Sequence, residues 1–187
     1  MTSVRFQSYT AENQAQFEDK LIACYQAVFA GWPWFEAWPY EQVKQDLRHE
    51  ITPQASCWLA LSDENVIGFC WGYPIGRTEL EVKLGVPLED WSGCERIPEL
   101  IAYQDELGVL ENCRGQKIAR KLFALRLADF EAQGLEFGVV RTKVLPEPSV
   151  TYEWFTAKLG YREMARYSQG DGRVVLGAPL SHVRSLF

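Results

Sequence analysis

A chain of 187 residues, 47% apolar and 24% charged, has the balance of a soluble globular protein with one sizeable core. Its net charge of −6, with no long basic run, argues against nucleic-acid binding through phosphate contacts. No apolar run approaches the roughly eighteen residues of a membrane span, and the opening MTSVRFQSYT has no apolar leader region, which argues against membrane spanning and secretion.

In chain order, Val4 to Tyr9 alternates as a first strand. Thr10 can cap a following helix that places Phe17, Leu21, Cys24 and Val28 on one face, with Gly31 closing it in the left-handed conformation. After WPWFEAWPY, Pro39 opens a second helix with Tyr40, Val43, Leu47 and Ile51 inward. SCWLALSDENVIGFCWGY reads as a hairpin turning at Asp63-Glu64-Asn65. The stretch near 77–98 has no clean period and reads as an insertion, a loop or a short helical piece carrying Trp91.

Leu100 to Leu110 reads as a strand, Gly115 to Gln133 as a long helix stopped by Gly134, and Phe137 to Val144 as a strand running into Pro146 and Pro148. Ser149 to Leu159 is a short helix capped by Gly160, and strands near Tyr161 to Tyr167 and Arg173 to Ala178 follow. The order β-α-α-β-β-β-α-β-α-β-β specifies a mixed α/β sheet with helices on both faces, in a single domain over 1–187.

The segment LENCRGQKIARKLF, Leu110 to Phe123, joins a strand to a helix through a glycine turn. Unpaired N–H groups and the positive end of the helix dipole make such a junction an anion site. Gly115 lets an anion approach the backbone and Arg114 adds charge. No GxxxxGK(S/T) or GxGxxG occurs, so neither a Walker loop nor a dinucleotide fingerprint is present.

The five cysteines are scattered, with no CxxC, and read as reduced packing thiols of a cytoplasmic protein. His49 and His182 are isolated, so a histidine metal site or a Ser-His-Asp triad lacks parts, and no metal is expected.

YQDELGVLENCRGQKIARKL resembles the acetyl-CoA-binding motif of the GNAT superfamily of N-acetyltransferases, a strand followed by R/Q-x-x-G-x-G/A and a helix. SVTYEWFTAKLGY is similar to that superfamily's next motif, and the element order matches over essentially the whole chain. The resemblance implies a GNAT-type acyl-CoA N-acyltransferase fold, with a mostly antiparallel sheet of about seven strands and helices on both faces. It implies that acetyl-CoA is the co-substrate, lying in a splay between two strands. Leu107 and Val109 would pair with the pantetheine arm, and the loop Arg114, Gly115, Gln116, Lys117, Ile118 and Ala119 would hold the pyrophosphate. Lys117 departs from the pattern, taking the middle glycine place. As a first-turn residue it would have ordinary helical backbone angles, with its side chain either outward or competing with the phosphates.

Transfer to an amine needs a base and then a proton for the departing thiolate. Asp105, by resemblance, is the first candidate base and Glu106 the second; alternation sends their side chains to opposite faces. The family's usual acidic Tyr is replaced by Thr156, leaving Tyr152, one helical turn earlier, as the substitute acid or as a packing aromatic. Ser149 stands where the family often has a cofactor-contacting Asn.

Trp32, Trp34, Phe35 and Glu36 are the candidate acceptor-binding residues, by aromatic and charge attraction to an ammonium, or else a clasp between two helices. The expected activity is acetyl transfer to a primary amine, on a small molecule or a peptide, by direct attack in a ternary complex. The expected state is a monomer or homodimer, with no nucleic-acid or membrane partner. The alternatives are a catalytically weak CoA-binding sensor, or a transferase of a longer acyl group.

Overall fold

The computed structural model describes residues 3–32, 34–89, 97–145, 149–168 and 172–186. Trp91, Cys94, Pro146 and Pro148 lie outside the described residues.

Among the described residues, seven strands form one mixed sheet: β1 (Val4–Ser8), β2 (Ser56–Ser62), β3 (Asn65–Gly76), β4 (Leu100–Val109), β5 (Phe137–Lys143), β6 (Arg162–Arg166) and β7 (Arg173–Pro179). Their order is β1-β2-β3-β4-β5-β7-β6. β4 and β5 run parallel, while β1/β2, β2/β3, β5/β7 and β6/β7 are antiparallel. The helices are α1 (Gln14–Ala30), α2 (Tyr40–Glu50), α3 (Arg77–Leu84), α4 (Ile118–Ala132), α5 (Val150–Glu153) and α6 (Leu180–Arg184), and α5 runs on as a π-helical turn, Trp154–Lys158. The insertion thus begins with a helix, α3. No helix among the described residues is long and apolar enough to cross a membrane.

The chain divides into two compact units, Met1–Tyr73 with Asp105–Asp129, and Pro74–Gln104 with Phe130–Phe187. In the first, α1 buries Phe17, Leu21, Cys24 and Val28 as its spacing requires. They join Leu59, Phe69 and Trp71 of the hairpin strands in one cluster, and Ile118 and Leu122 of α4 join Ala60, Ile67, Cys70 and Val109 in another. In the second unit, Phe137, Phe155, Tyr161, Met164 and Leu176 are all buried.

Several local expectations are corrected. Thr10 does not cap α1; the Asn13 side chain accepts from the Thr10 amide at 2.9 Å and donates to the Ser8 carbonyl at 2.8 Å, closing a turn ahead of the helix. Gly31 is extended (φ −88°, ψ 177°) rather than left-handed. The chain folds back there, with the amides of Trp34 and Phe35 on the Gly31 carbonyl, and Phe35 takes the positive φ of 52° instead. Tyr40 is exposed, its hydroxyl drawn out to Asp19, while Val43 and Leu47 carry the inward face of α2 and Ile51 is half-buried. The hairpin turn is two residues, Asp63 and Glu64, because Ser62 pairs with Asn65.

Candidate active site

The first unit carries the strand-loop-helix junction. β4 ends at Val109, and the Leu110 amide still bonds the Ile67 carbonyl of β3 at 3.0 Å. A single 3-10 turn, Glu111–Cys113, follows, and Arg114 folds back so that its Nε donates to the Val109 carbonyl at 3.3 Å. Arg114, Gly115, Gln116 and Lys117 are exposed, Ala119 is half-buried and Ile118 is buried. Ile118 thereby pins the first turn of α4 while the loop ahead of it faces outward. A Cβ on Gly115 (φ +79°) would meet nothing within 4 Å, so there is open space over this turn.

The backbone of Lys117 differs from the expectation. α4 starts at Ile118, not Gly115, and Lys117 precedes it with φ +61°. That is the left-handed region, in which an L-residue costs roughly 1–2 kcal/mol more than in its usual conformation. Glycine at this place would serve a conformational need that Lys117 meets under strain. The Lys117 side chain is exposed.

Four residues that sequence reasoning missed shape the strand beside this loop. A Cβ on Gly108 would lie 2.5 Å from Cζ of Phe69 and 3.0 Å from Cγ1 of Val28, so only glycine lets β4 come this close. Tyr25 of α1 donates its hydroxyl to Glu106 Oε1 at 3.2 Å, and Tyr73 of β3 donates to Asp105 Oδ2 at 2.8 Å. Arg126, 1% exposed, sends Nη1 to the carbonyl oxygens of Trp71 at 2.8 Å and Glu106 at 2.7 Å. Signals existed: a glycine inside a strand, and an arginine midway between Leu122 and Phe130 on an apolar stripe.

The two carboxylates both end on phenols of one aromatic cluster, because Tyr25 is part of it and Tyr73 packs against it. The Tyr25 ring lies among Phe29, Trp38, Phe69 and Trp71, with centroids 4.5 to 5.9 Å away. Burial pushes the Tyr25 phenol far above its ordinary range, and the negative charges of Glu106, Asp105 and Glu50 push it further. Tyr25 is therefore a neutral donor at any ordinary pH. Glu50 accepts from the Trp71 indole at 3.0 Å.

The aromatic segment between α1 and α2 divides its duties. Trp34 packs on Phe29 at 5.5 Å, and Trp38 packs on Tyr25 while its indole donates to Glu36 at 3.2 Å. Those two make the clasp. Trp32 and Phe35 are 47% and 72% exposed.

In the second unit, Ser149 caps α5, accepting from the Tyr152 amide at 3.3 Å and donating to the Lys143 carbonyl at 2.6 Å. Thr156 donates its hydroxyl to the Tyr152 carbonyl at 2.8 Å, inside the π-helical turn. Tyr152 is half-buried. Cys24, Cys57, Cys70 and Cys113 are free thiols, the first three buried, and among the described residues no group of His, Cys, Asp or Glu could hold a metal ion.

This architecture recurs in solved acetyltransferases of low sequence identity. The GNAT domain of S. lividans PAT is 18% identical with a TM-score of 0.64, over 94% of this chain and 90% of that one. The PaiA N-acetyltransferase of Thermoplasma acidophilum, solved with coenzyme A, is 14% identical with a TM-score of 0.62, over 95% and 99%. The ribosomal-protein-S18-alanine N-acetyltransferase of Escherichia coli is 12% identical with a TM-score of 0.60, over 95% and 94%. A search of curated proteins finds no match. A model of the acetyltransferase (GNAT) family matches residues 15–144, well over half of the sequence, and the chain therefore belongs to that family.

Proposed function

We propose that the protein is an N-acetyltransferase that moves an acetyl group from acetyl-CoA to a primary amine by direct attack in a ternary complex. The observation that carries this reading is the junction of β4 and α4: an outward loop with two positive-φ residues, cationic at Arg114 and Lys117, opening onto a helix N-terminus. An exposed loop, two cations and open space over Gly115 fit a pyrophosphate. Arg114 to Ala119 would hold that group, and the backbone of Leu107 and Val109 would run along the pantetheine arm. When bound, acetyl-CoA supplies an activated acyl carbon and a thiolate leaving group.

The amine reaches the site protonated and must lose a proton before it can attack. Asp105 and Glu106 are half-buried carboxylates on the strand that leads into the loop, and either can take it. Trp32, Phe35 and Glu36 offer exposed aromatic surface and a carboxylate for an ammonium group. Tyr152 is the phenol assigned to the departing thiolate. Two of the structural neighbours are named as N-acetyltransferases, one of them of a ribosomal-protein alanine, which supports an amine acceptor here.

A second reading, a CoA-binding sensor with weak catalysis, has one observation in its favour: the Thr156 hydroxyl is turned onto its own helix at the Tyr152 carbonyl. A broad amine panel read by thiol release and product mass separates the two. Turnover on some amine supports the enzyme; saturable acetyl-CoA binding with no turnover supports the sensor. The same panel with longer acyl-CoA donors tests for a longer acyl group.

A further inference from the structure

β6 ends the sheet, and an end strand offers a row of unpaired backbone groups to any other strand. The segment that follows α3 is seated on it. The Glu89 amide bonds the Met164 carbonyl at 3.0 Å, and the hydroxyl of Tyr167, just past β6, donates to the Leu84 carbonyl at 2.7 Å. Met164 is the extra residue of a bulge, since Glu163 pairs with Leu176 and Ala165 with Val175. Strand carbonyls point sideways within a sheet, and β7 takes one side of β6, so the bond from Glu89 marks the other side. The seated segment is itself tied down. Gly85 ends α3 in the left-handed conformation (φ 71°), and the chain turns back to Leu88. The Leu88 amide bonds Glu81 Oε1 at 3.0 Å, its carbonyl accepts from Arg77 Nη2 at 2.7 Å, and Arg77 Nε reaches the same Glu81 oxygen at 3.3 Å. Leu80, Leu84 and Leu88 are buried.

We propose that the segment 77–89 is an edge guard, a strap of the chain's own insertion that keeps β6 from pairing with a second copy of the chain. The bulge and the occupied Met164 carbonyl both remove the regular ladder that an incoming strand needs. Charge on the strand protects it less. Glu163 and Arg166 are exposed but neutralise each other in a paired contact at 2.6 and 2.7 Å, which leaves the strap as the main barrier. Glu81 is the knot of the strap, because one of its oxygens accepts from both Arg77 and Leu88.

Glu81→Ala in the full-length protein, followed by amide hydrogen exchange and sedimentation velocity, tests this without any need for turnover. In the wild type the Glu89 amide should exchange at least about a hundredfold more slowly than in an unstructured peptide. Glu81→Ala should speed that exchange at least about tenfold, while the amides of the β6/β7 ladder stay protected. The variant should then form larger species as its concentration rises, beyond those of the wild type at equal concentration, with slower exchange along Arg162–Arg166. An unprotected Glu89 amide in the wild type, or unchanged protection in the variant, overturns the strap. Release of the strap with wild-type sedimentation overturns the guard, as does association that leaves exchange along β6 unchanged. Loss of β6/β7 protection together with that of Glu89 would make the segment part of the core, which also refutes the proposal.

Discussion

Arg126 donates from Nη1 to the carbonyl oxygen of Glu106 at 2.7 Å, and the same nitrogen reaches the Trp71 carbonyl on β3 at 2.8 Å. A guanidinium thus joins two strands beside the candidate base from inside the core, with its face 5.6 Å from the Phe123 ring. Removing it strands two buried acceptors. Arg126→Met should cost roughly 2–4 kcal/mol in denaturant unfolding. Arg126→Lys, able to satisfy one carbonyl, should lose less.

Lys117 gives a prediction of the opposite sign. Its φ of +61° is a conformation glycine adopts without strain. Lys117→Gly should raise stability by about 1 kcal/mol, after the extra flexibility glycine gives the unfolded chain is counted against it. Urea unfolding checks this. If the lysine charge holds pyrophosphate, CoA affinity should fall at the same time; if lysine is merely tolerated, affinity should hold or improve.

Gly108→Ala should destabilise by about 1–3 kcal/mol, since the added methyl would lie 2.5 Å from Phe69 and 3.0 Å from Val28. Phe69→Leu in the same chain should recover part of the loss. A neutral single variant would show that β4 does not need this close approach.

The buried thiols set an alkaline limit on the fold. Burial pushes Cys24 up to about 12 and Cys70 up to about 11, and Cys57 well above its ordinary value. In the unfolded chain these thiols lose protons near pH 9, while the folded chain keeps them, so the folded state binds more protons there. Stability is then full below about pH 9 and falls toward pH 12, by at most about 1.4 kcal/mol per pH unit for each thiol. Urea midpoints from pH 8 to pH 11 should decline, and Cys24→Ser with Cys70→Ala should flatten the decline.

Much of this was legible in the sequence because periodic burial leaves a plain trace. The face of Phe17, Leu21, Cys24 and Val28 and the seven strands follow from spacing alone. The left-handed Gly134 and Gly160 close their helices as expected. What was not legible depends on contacts distant in the chain. Tyr25 and Glu106 are 81 residues apart, and nothing local says that a helix phenol will find that carboxylate. Lys117 was misread for a different reason: lysine suits a helix, and only the loop's path forces the left-handed turn just before α4 begins.

The most direct measurement is amine-dependent release of free CoA thiol from acetyl-CoA, compared for wild type, Asp105→Asn and Glu106→Gln at matched acetyl-CoA occupancy. The account predicts turnover in the wild type, with kcat reduced at least about a hundredfold in Asp105→Asn or in Glu106→Gln and acetyl-CoA binding retained. Wild-type levels of turnover in both carboxylate variants would contradict it.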